Sequence, residues 1–234
     1  VTQQTLEVAQ RAAQRNQTPK RTSQFFPASN FDGQPVPPRE WLVEDWVPMK
    51  NVTLLYGDGG TGKSLVALQL AVATVLGKDW LGLNVASGRA LFISAEDDVQ
   101  DLHRRLASAA TSAGARLRDL DCLTLRSLAG EDALLATFPG RDGRLEASEL
   151  FREIEKKVAD EQPGLIVLDT LNDLYAGDEN DKAQARQFIG LLRGLAIRNE
   201  CAVVLLAHPS KSGMSSGTGD SGTIASPASR ISRS

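Results

Sequence analysis

One stretch of eight residues constrains the fold more than any other part of this chain. It reads GDGGTGKS over residues 57–64, follows an apolar run at 52–56 and opens a helix-length segment at 62–76. A glycine-rich turn between a buried strand and a helix directs backbone N–H groups and the positive end of the helix dipole towards one point. The pattern G-x-x-x-x-G-K-[ST] in this context predicts a loop that binds the phosphates of a nucleoside triphosphate.

Two side chains of this loop have a specific expected chemistry. Lys63 is expected to reach the β- and γ-phosphates, and the Ser64 hydroxyl is expected to ligate Mg²⁺. The cofactors predicted from the loop are therefore ATP and Mg²⁺. The predicted nucleotide-binding residues are Gly57, Asp58, Gly59, Gly60, Thr61, Gly62, Lys63, Ser64 and Leu65.

Apolar runs and helix-length segments alternate along the chain from Trp41 onward. Runs of four to six apolar residues suit buried parallel strands, and the alternation predicts an α/β fold with a mostly parallel central sheet and helices on both faces. The predicted strands are 52–56, 90–94, 120–125, 165–169 and 202–207. The predicted helices are 62–76, 99–113, 146–160 and 182–199. Ligands of such sheets bind beyond the carboxyl ends of the strands.

An acidic residue ends the predicted strand at 165–169. The phosphate loop calls for such a residue to hold Mg²⁺ through water, and Asp169 fits that role; the alternative is that Asp169 only caps the following turn. The next residue is Thr170 and not a glutamate. The chain therefore either lacks a glutamate that activates water or takes it from another part of the sequence.

The strand at 90–94 is followed by three acidic residues that compete for that role. A carboxylate at Glu96 could orient and deprotonate a water in line with the γ-phosphate. Asp97 and Asp98 have the same charge and nearly the same place in the chain. The alternative is structural, because Ser94-x-x-Asp97 resembles a capping box and acids are favoured in the first turn of a helix.

The strand at 202–207 is followed by His208, Pro209, Ser210 and Lys211. A polar residue at this strand end could sense the γ-phosphate, whereas a lone histidine is otherwise most often structural. The next segment, 212–222, is rich in glycine and serine. That composition favours either a loop that changes shape with nucleotide state or a simple linker.

Taken together, these motifs resemble the RepA-type branch of the RecA-like ATPases. That branch includes plasmid replicative helicases that assemble as hexameric rings and move along single-stranded DNA. The resemblance covers about residues 31–225. It rests on the phosphate loop, the acidic motif at 94–98 with the segment 103–106, Asp169, the segments 177–181 and 208–211, and the lead-in at 41–48.

The resemblance implies a RecA-like fold and a set of roles. It implies that Glu96 is the catalytic base, that His208 is the γ-phosphate sensor, and that the loop from Lys211 to residue 222 faces the channel of the ring, where DNA lies. It also implies a homo-oligomer, expected to be a hexameric ring, in which an arginine from the next subunit completes each site.

Two features depart from the family pattern. In the family an aromatic residue, an asparagine and an arginine pair follow the channel loop, whereas residues 226–233 here read SPASRISR. Arg230 and Arg233 are the candidate substitutes for the arginine finger, and the alternative is a frayed C-terminus. The channel loop also carries only Lys211 as a positive charge. The segment after Asp169 is acidic, with Asp173, Asp178, Glu179 and Asp181.

Composition limits the remaining function classes. The chain has 234 residues and a net charge of -3, so it has no general attraction to nucleic acid or to an anionic membrane. No apolar run approaches the ~20 residues that span a bilayer, and a cytoplasmic location is expected. Cys122 and Cys201 lie in apolar runs and are expected to be buried free thiols. We expect an N-terminal arm or linker over 1–40 and a RecA-like ATPase domain over 41–234 that is shortened at its C-terminus.

The function predicted from these observations is a Mg²⁺-dependent ATPase, stimulated by DNA, that serves as the motor domain of a RepA-like helicase in plasmid or mobile-element replication. The alternative is a truncated or regulatory protein that binds ATP and has no helicase activity. A P-loop kinase acting on a small molecule is a third class, which the absence of an arginine-rich lid disfavours.

Overall fold

The computed structural model describes residues 25–140, 143–177 and 181–208. The chain divides into two compact units, Val1–Pro38 and Arg39–Ser234. The described part of the first unit contains a short 3-10 turn, Ala28–Phe31, and the ring of Phe31 meets that of Phe26 edge to face. The predicted division at residue 40 stays a prediction.

The second unit alternates strands and helices. Its strands are β1 (Trp41–Val43), β2 (Val47–Pro48), β3 (Val52–Tyr56), β4 (Ala90–Ser94), β5 (Leu123–Ser127), β6 (Ala136–Thr137), β7 (Glu146–Ala147), β8 (Leu165–Asp169) and β9 (Ala202–Ala207). Its described helices are α1 (Lys63–Leu76), α2 (Val99–Ser112), α3 (Glu149–Glu161), α4 (Leu171–Leu174) and α5 (Lys182–Arg198).

Five of these strands form one all-parallel sheet in the order β3-β9-β8-β4-β5. Strand β9, the last in the described chain, therefore lies between β3 and β8. Because all five strands run in the same direction, the segments that follow them emerge at a single edge of the sheet. Two small antiparallel pairs, β1–β2 and β6–β7, complete the described strands.

Apolar cores cover both faces of the sheet. On β8, Ile166 packs with the helices α3 and α5, whereas the next residue, Val167, packs with α1 and α2. Successive side chains of a strand point to opposite faces, so a strand covered on both sides is apolar at every position. This arrangement confirms the predicted α/β fold, and it is a RecA-like P-loop fold.

Four of the five predicted strands have the predicted bounds, and the fifth, predicted at 120–125 and observed at Leu123–Ser127, is wrong at both ends. The predicted strand 120–125 is observed as β5, which begins at Leu123, because residues 117–119 form a 3-10 turn that ends at Leu120. The Leu120 side chain is buried with Val72 and Ala109, between α1 and α2, so it belongs to the helical layer. Apolar character alone did not distinguish these two kinds of burial.

The predicted helix 146–160 is also wrong at its start. Helix α3 begins at Glu149, because the Ser148 hydroxyl accepts a hydrogen bond from the backbone N–H of Phe151 and so caps the helix. The two residues before Ser148 pair with β6 as strand β7. Among the described residues, no helix has both the length and the apolar character needed to cross a bilayer.

Candidate active site

The register of the sheet brings the predicted site residues to one edge. Ser94, at the end of β4, pairs with Asp169 at the end of β8, and Tyr56, at the end of β3, pairs with Ala207 at the end of β9. The phosphate loop, the acidic segment after β4, Asp169 and His208 therefore all lie at the carboxyl ends of adjacent strands. This is the edge at which α/β sheets bind ligands.

The backbone of the phosphate loop depends on its glycines. Gly62, the residue before α1, has φ of 84°, a left-handed conformation that side chains with a Cβ rarely adopt. At Gly57 a Cβ would lie 3.3 Å from the Thr61 hydroxyl oxygen. That hydroxyl donates a hydrogen bond of 2.8 Å to the carbonyl of Asp58, which closes the turn. The loop is therefore tightly wound at its first and last glycines.

The ammonium of Lys63 lies inside this loop. The residue is only 9% exposed, and its Nζ atom donates hydrogen bonds of 2.7 Å and 2.8 Å to the carbonyl oxygens of Gly57 and Asp58. The same Nζ atom is 3.1 Å from Nδ1 of His208. Lys63 thus links the phosphate loop to the end of β9.

The other ring nitrogen of His208 contacts an acidic residue. Its Nε2 atom is 3.2 Å from Oε1 of Glu96, whose side chain is 44% exposed. A continuous chain of polar contacts therefore runs from Lys63 through His208 to Glu96. The structure brings together the three residues predicted to be catalytic.

The three acidic residues after β4 have different surroundings. Asp97 is 7% exposed, and its carboxylate pairs with Nη1 of Arg105 at 3.1 Å. Asp98 caps α2 by accepting hydrogen bonds from the backbone N–H groups of Gln100 and Asp101. Both groups are therefore occupied within the fold, and Glu96 is the acid that faces His208.

The predicted capping box is present in part. The Ser94 hydroxyl accepts a hydrogen bond from the backbone N–H of Asp97, as that interpretation requires. The helix itself, however, is capped by Asp98, one residue later. The alternative of a structural role therefore applies to Asp97 and Asp98 and not to Glu96.

Asp169 is buried without a partner for its charge. The residue is 1% exposed, and neither carboxylate oxygen makes a hydrogen bond within the described part of the chain. Burial raises its pKa to about 6, and the negative charges of Glu96 and Asp97 act in the same direction. The Ser64 hydroxyl lies close enough to lower this pKa.

A divalent cation fits this arrangement. Two buried carboxylate oxygens of Asp169, close to the Ser64 hydroxyl, form a set of oxygen ligands that suits Mg²⁺. Among the described residues, no group of three or more His, Cys, Asp or Glu side chains could hold a metal ion. Mg²⁺ is usually held by one or two protein groups together with substrate phosphates, so Ser64 and Asp169 are a sufficient protein contribution.

Two further residues belong to this environment and received no role from the sequence. Arg105, on the second turn of α2, neutralises Asp97 and lowers the pKa of Asp169. Asp173, in α4, has a pKa raised by burial and by the negative charge of Glu96 and lowered by His208, which places it near both. Acidic residues just before a helix, followed by an arginine on its second turn, are the sequence signal that indicates an ion pair for Arg105. For Asp173 the sequence shows only that it belongs to the acidic segment after Asp169.

Of the remaining predicted residues, only Leu65 lies within the described part of the chain. Leu65 lies on the first turn of α1 and is 36% exposed. Lys211, Arg230 and Arg233 lie outside the described residues, and so does the predicted channel loop.

The fold and the site define a P-loop nucleoside triphosphatase, since the lysine-bearing loop and a buried acidic strand end meet at the ligand edge of an all-parallel sheet. The model of the AAA domain family matches residues 17–214, and the chain belongs to that family. Domains of this kind are ATP-binding P-loop domains with nucleotide hydrolysis as their general activity. This match identifies the family and does not identify the RepA-type branch within the P-loop ATPases.

Proposed function

We propose that this chain is the Mg²⁺-dependent ATPase motor domain of a RepA-like DNA helicase that acts in plasmid or mobile-element replication. The observation that carries the proposal is the polar chain from Lys63 through His208 to Glu96. It joins the lysine expected to bind phosphate to a partly exposed carboxylate at the edge where the substrate binds. Membership of the AAA domain family supports the ATP-binding part of the proposal.

Glu96 is proposed as the catalytic base. Its carboxylate is accessible to water, whereas Asp97 is paired with Arg105 and Asp98 caps a helix. In hydrolysis the oxygen of a water attacks the γ-phosphorus, the bond to the β-phosphate oxygen breaks, and the water gives a proton to Glu96. The products are ADP and inorganic phosphate.

Lys63 and the metal site are proposed to handle the charge of the phosphates. Lys63 exchanges contacts with the loop carbonyls for contacts with β- and γ-phosphate oxygens, which places a positive charge beside the transferred group. Ser64 and Asp169 would hold Mg²⁺, which when bound neutralises negative charge on the phosphate oxygens. The desolvated carboxylate of Asp169 supports this assignment.

The DNA-binding and ring-forming parts of the proposal rest on the resemblance to RepA-type helicases. Six copies in a ring would sum the small positive charge that Lys211 brings to the channel. Such binding weakens as salt rises, with a slope that reports the number of phosphates contacted. An arginine from the neighbouring copy, with Arg230 and Arg233 as candidates, would complete each site.

Steady-state ATP hydrolysis with Mg²⁺, with and without single-stranded DNA, tests the proposal. We expect hydrolysis that DNA stimulates several-fold and that Lys63→Ala abolishes. The matched control is Lys156→Ala, because Lys156 is exposed on α3, outside the site. Nucleotide binding without turnover would favour the regulatory ATP-binding protein instead.

Assembly is tested separately by light scattering, with and without a non-hydrolysable ATP analogue. The proposal predicts a ring in the presence of the analogue. A species that keeps the monomer mass in both samples would contradict it.

A further inference from the structure

We propose that His208 is a positioning residue that orients the carboxylate of Glu96 and connects it to Lys63, so that phosphate binding in the loop is communicated to the base. The inference rests on the proposed function, because it assigns to Glu96 the role of base. It differs from the expected sensing of the γ-phosphate, because His208 acts here through Glu96.

The hydrogen-bond donors determine which ring nitrogen of His208 carries the proton. An ammonium group can only donate, so at 3.1 Å from Lys63 Nζ the Nδ1 atom of His208 must be the acceptor. A neutral ring with an unprotonated Nδ1 carries its proton on Nε2. That N–H group faces Glu96 Oε1 at 3.2 Å and donates to it.

The orientation of Glu96 depends on this contact. Within the part of the chain that the structure describes, its carboxylate makes one hydrogen bond, to His208. The side chain is 44% exposed, so packing does not hold it in place. A base must be held in line with the attacking water, and displacement by ~1 Å can cost ~100-fold in rate. Among the described residues, His208 supplies the hydrogen bond that restrains the Glu96 carboxylate.

His208 itself has a rigid support. It directly follows β9, all of whose residues are buried and which pairs with β3 on one side and β8 on the other. The phosphate loop follows β3 and Glu96 follows β4, two segments separated by β9 and β8 in the sheet. A ring at the end of β9 can therefore contact both segments, which the sheet keeps apart.

This geometry gives a route from the phosphate loop to the base. The contact between Lys63 and Nδ1 competes with contacts between Lys63 and phosphate oxygens, because one ammonium has three donors and two already bind Gly57 and Asp58. When Lys63 binds phosphate, its contact with Nδ1 of His208 weakens. The orientation of the His208 ring then changes, and with it the contact between Nε2 and Glu96. The coupling requires no direct contact between Lys63 and Glu96.

A double-mutant cycle tests whether His208 acts through Glu96. The amide of asparagine reaches the position of Nδ1 but not that of Nε2, so His208→Asn keeps an acceptor for Lys63 and loses the donor to Glu96. We expect His208→Asn to lower kcat by ~10-fold to ~100-fold with little change in KM. In a Glu96→Gln background, the same substitution should lower kcat less than ~2-fold further.

Two other variants complete the kinetic test. His208→Gln, whose amide nitrogen reaches the position of Nε2, should recover most of the rate lost in His208→Asn. His103→Asn is the matched control, since His103 is exposed on α2, and it should leave the rate unchanged. An equal loss from His208→Asn in both backgrounds would overturn the inference, because His208 would then act independently of Glu96.

Nitrogen NMR of the histidine rings provides a test that does not depend on hydrolysis. The chain has two histidines, so ¹⁵N-histidine labelling gives two ring systems, and His103→Asn assigns them. We expect the His208 ring to carry its proton on Nε2 and to leave Nδ1 unprotonated, as its contacts with Lys63 and Glu96 require. We also expect Lys63→Ala to shift the Nδ1 resonance and Glu96→Gln to shift the Nε2 resonance.

The two readouts separate the possible failures. A protein without ATP turnover would contradict the proposed function. The ring spectra would still show whether His208 contacts Lys63 and Glu96. A ring protonated on Nδ1, or spectra unaffected by either substitution, would overturn the inference even in an active ATPase.

Discussion

Nε2 of His208 lies 3.2 Å from Oε1 of Glu96, although 112 residues separate the two in the chain. The contact forms because β4 and β9 belong to the same parallel sheet and end at the same edge. It distinguishes Glu96 from two acidic neighbours of the same charge.

Glu96→Gln should reduce ATP turnover and preserve nucleotide binding. Glutamine has the size of glutamate but cannot accept the proton of water, and loss of a general base costs ~100-fold or more. Single-turnover hydrolysis measures the rate, and titration with a fluorescent ATP analogue measures binding. Glu153→Gln, an exposed position on α3, is the control and should keep the native rate. Full activity of Glu96→Gln would show that another group is the base.

Asp98→Ala should lower the stability and leave the chemical step intact. The Asp98 carboxylate accepts two backbone hydrogen bonds at the start of α2, and loss of such a cap costs about 1 kcal/mol. Urea denaturation measures the free energy of unfolding. Asp98→Asn keeps a capping oxygen and should retain most of the stability. A rate loss in Asp98→Ala as large as that of Glu96→Gln would contradict the assignment of separate roles.

Asp169→Asn should stabilise the protein in the absence of metal and weaken its response to Mg²⁺. Burial raises the pKa of Asp169 from 3.8 to about 6, so the fold disfavours the ionised form at neutral pH. A neutral amide of the same shape relieves this cost, which we expect to be about 1–3 kcal/mol. Urea denaturation with a chelator measures the first effect.

Thermal unfolding in Mg²⁺ and ATP measures the second effect of this substitution. The native protein should gain stability from the metal and nucleotide together, and Asp169→Asn should gain less. Equal metal-dependent stabilisation of the two proteins would rule out Asp169 as a ligand.

The two cysteines should differ in their reactivity towards alkylating reagents. Cys201 is fully buried, and burial raises the pKa of its thiol to about 11, whereas Cys122 is half-buried; both are free. The reactive species is the thiolate. With iodoacetamide at a pH of about 8, mass spectrometry should find Cys122 modified first and Cys201 modified only after unfolding.

The same shift makes stability depend on alkaline pH. The folded state holds the Cys201 proton more tightly than the unfolded state, whose thiol has the ordinary pKa of 9.0. The contribution to stability is therefore complete below pH 9.0 and decreases as pH rises towards about 11. Cys201→Ala should weaken this alkaline dependence. Rapid labelling of Cys201 in the native protein would contradict the burial of this thiol.

Local signals were sufficient for most of the fold. Buried parallel strands are continuous apolar runs, so four strands were predicted with their observed bounds. The errors occurred at residues whose type is compatible with more than one kind of local structure. Leu120 is as apolar as a strand residue but packs between two helices, and Cys122, expected to be buried, is half-buried because it precedes β5. The short pairs β1–β2 and β6–β7 are too short to produce a pattern.

The sequence by itself determined the phosphate loop, the parallel α/β fold and the strand ends that carry Glu96, Asp169 and His208. These follow from local patterns: glycines where the backbone turns, apolar runs where strands are buried, and polar residues directly after them. Only the tertiary structure decided which of three adjacent acids faces the site.

That choice depends on partners distant in the chain. Asp97 pairs with Arg105, Asp98 caps α2, and Glu96 meets His208. Hydrogen bonds and ion pairs require contact within a few ångströms, and the order of strands in the sheet decides which groups come that close. A linear pattern contains the residue types, but the fold supplies the distances between them.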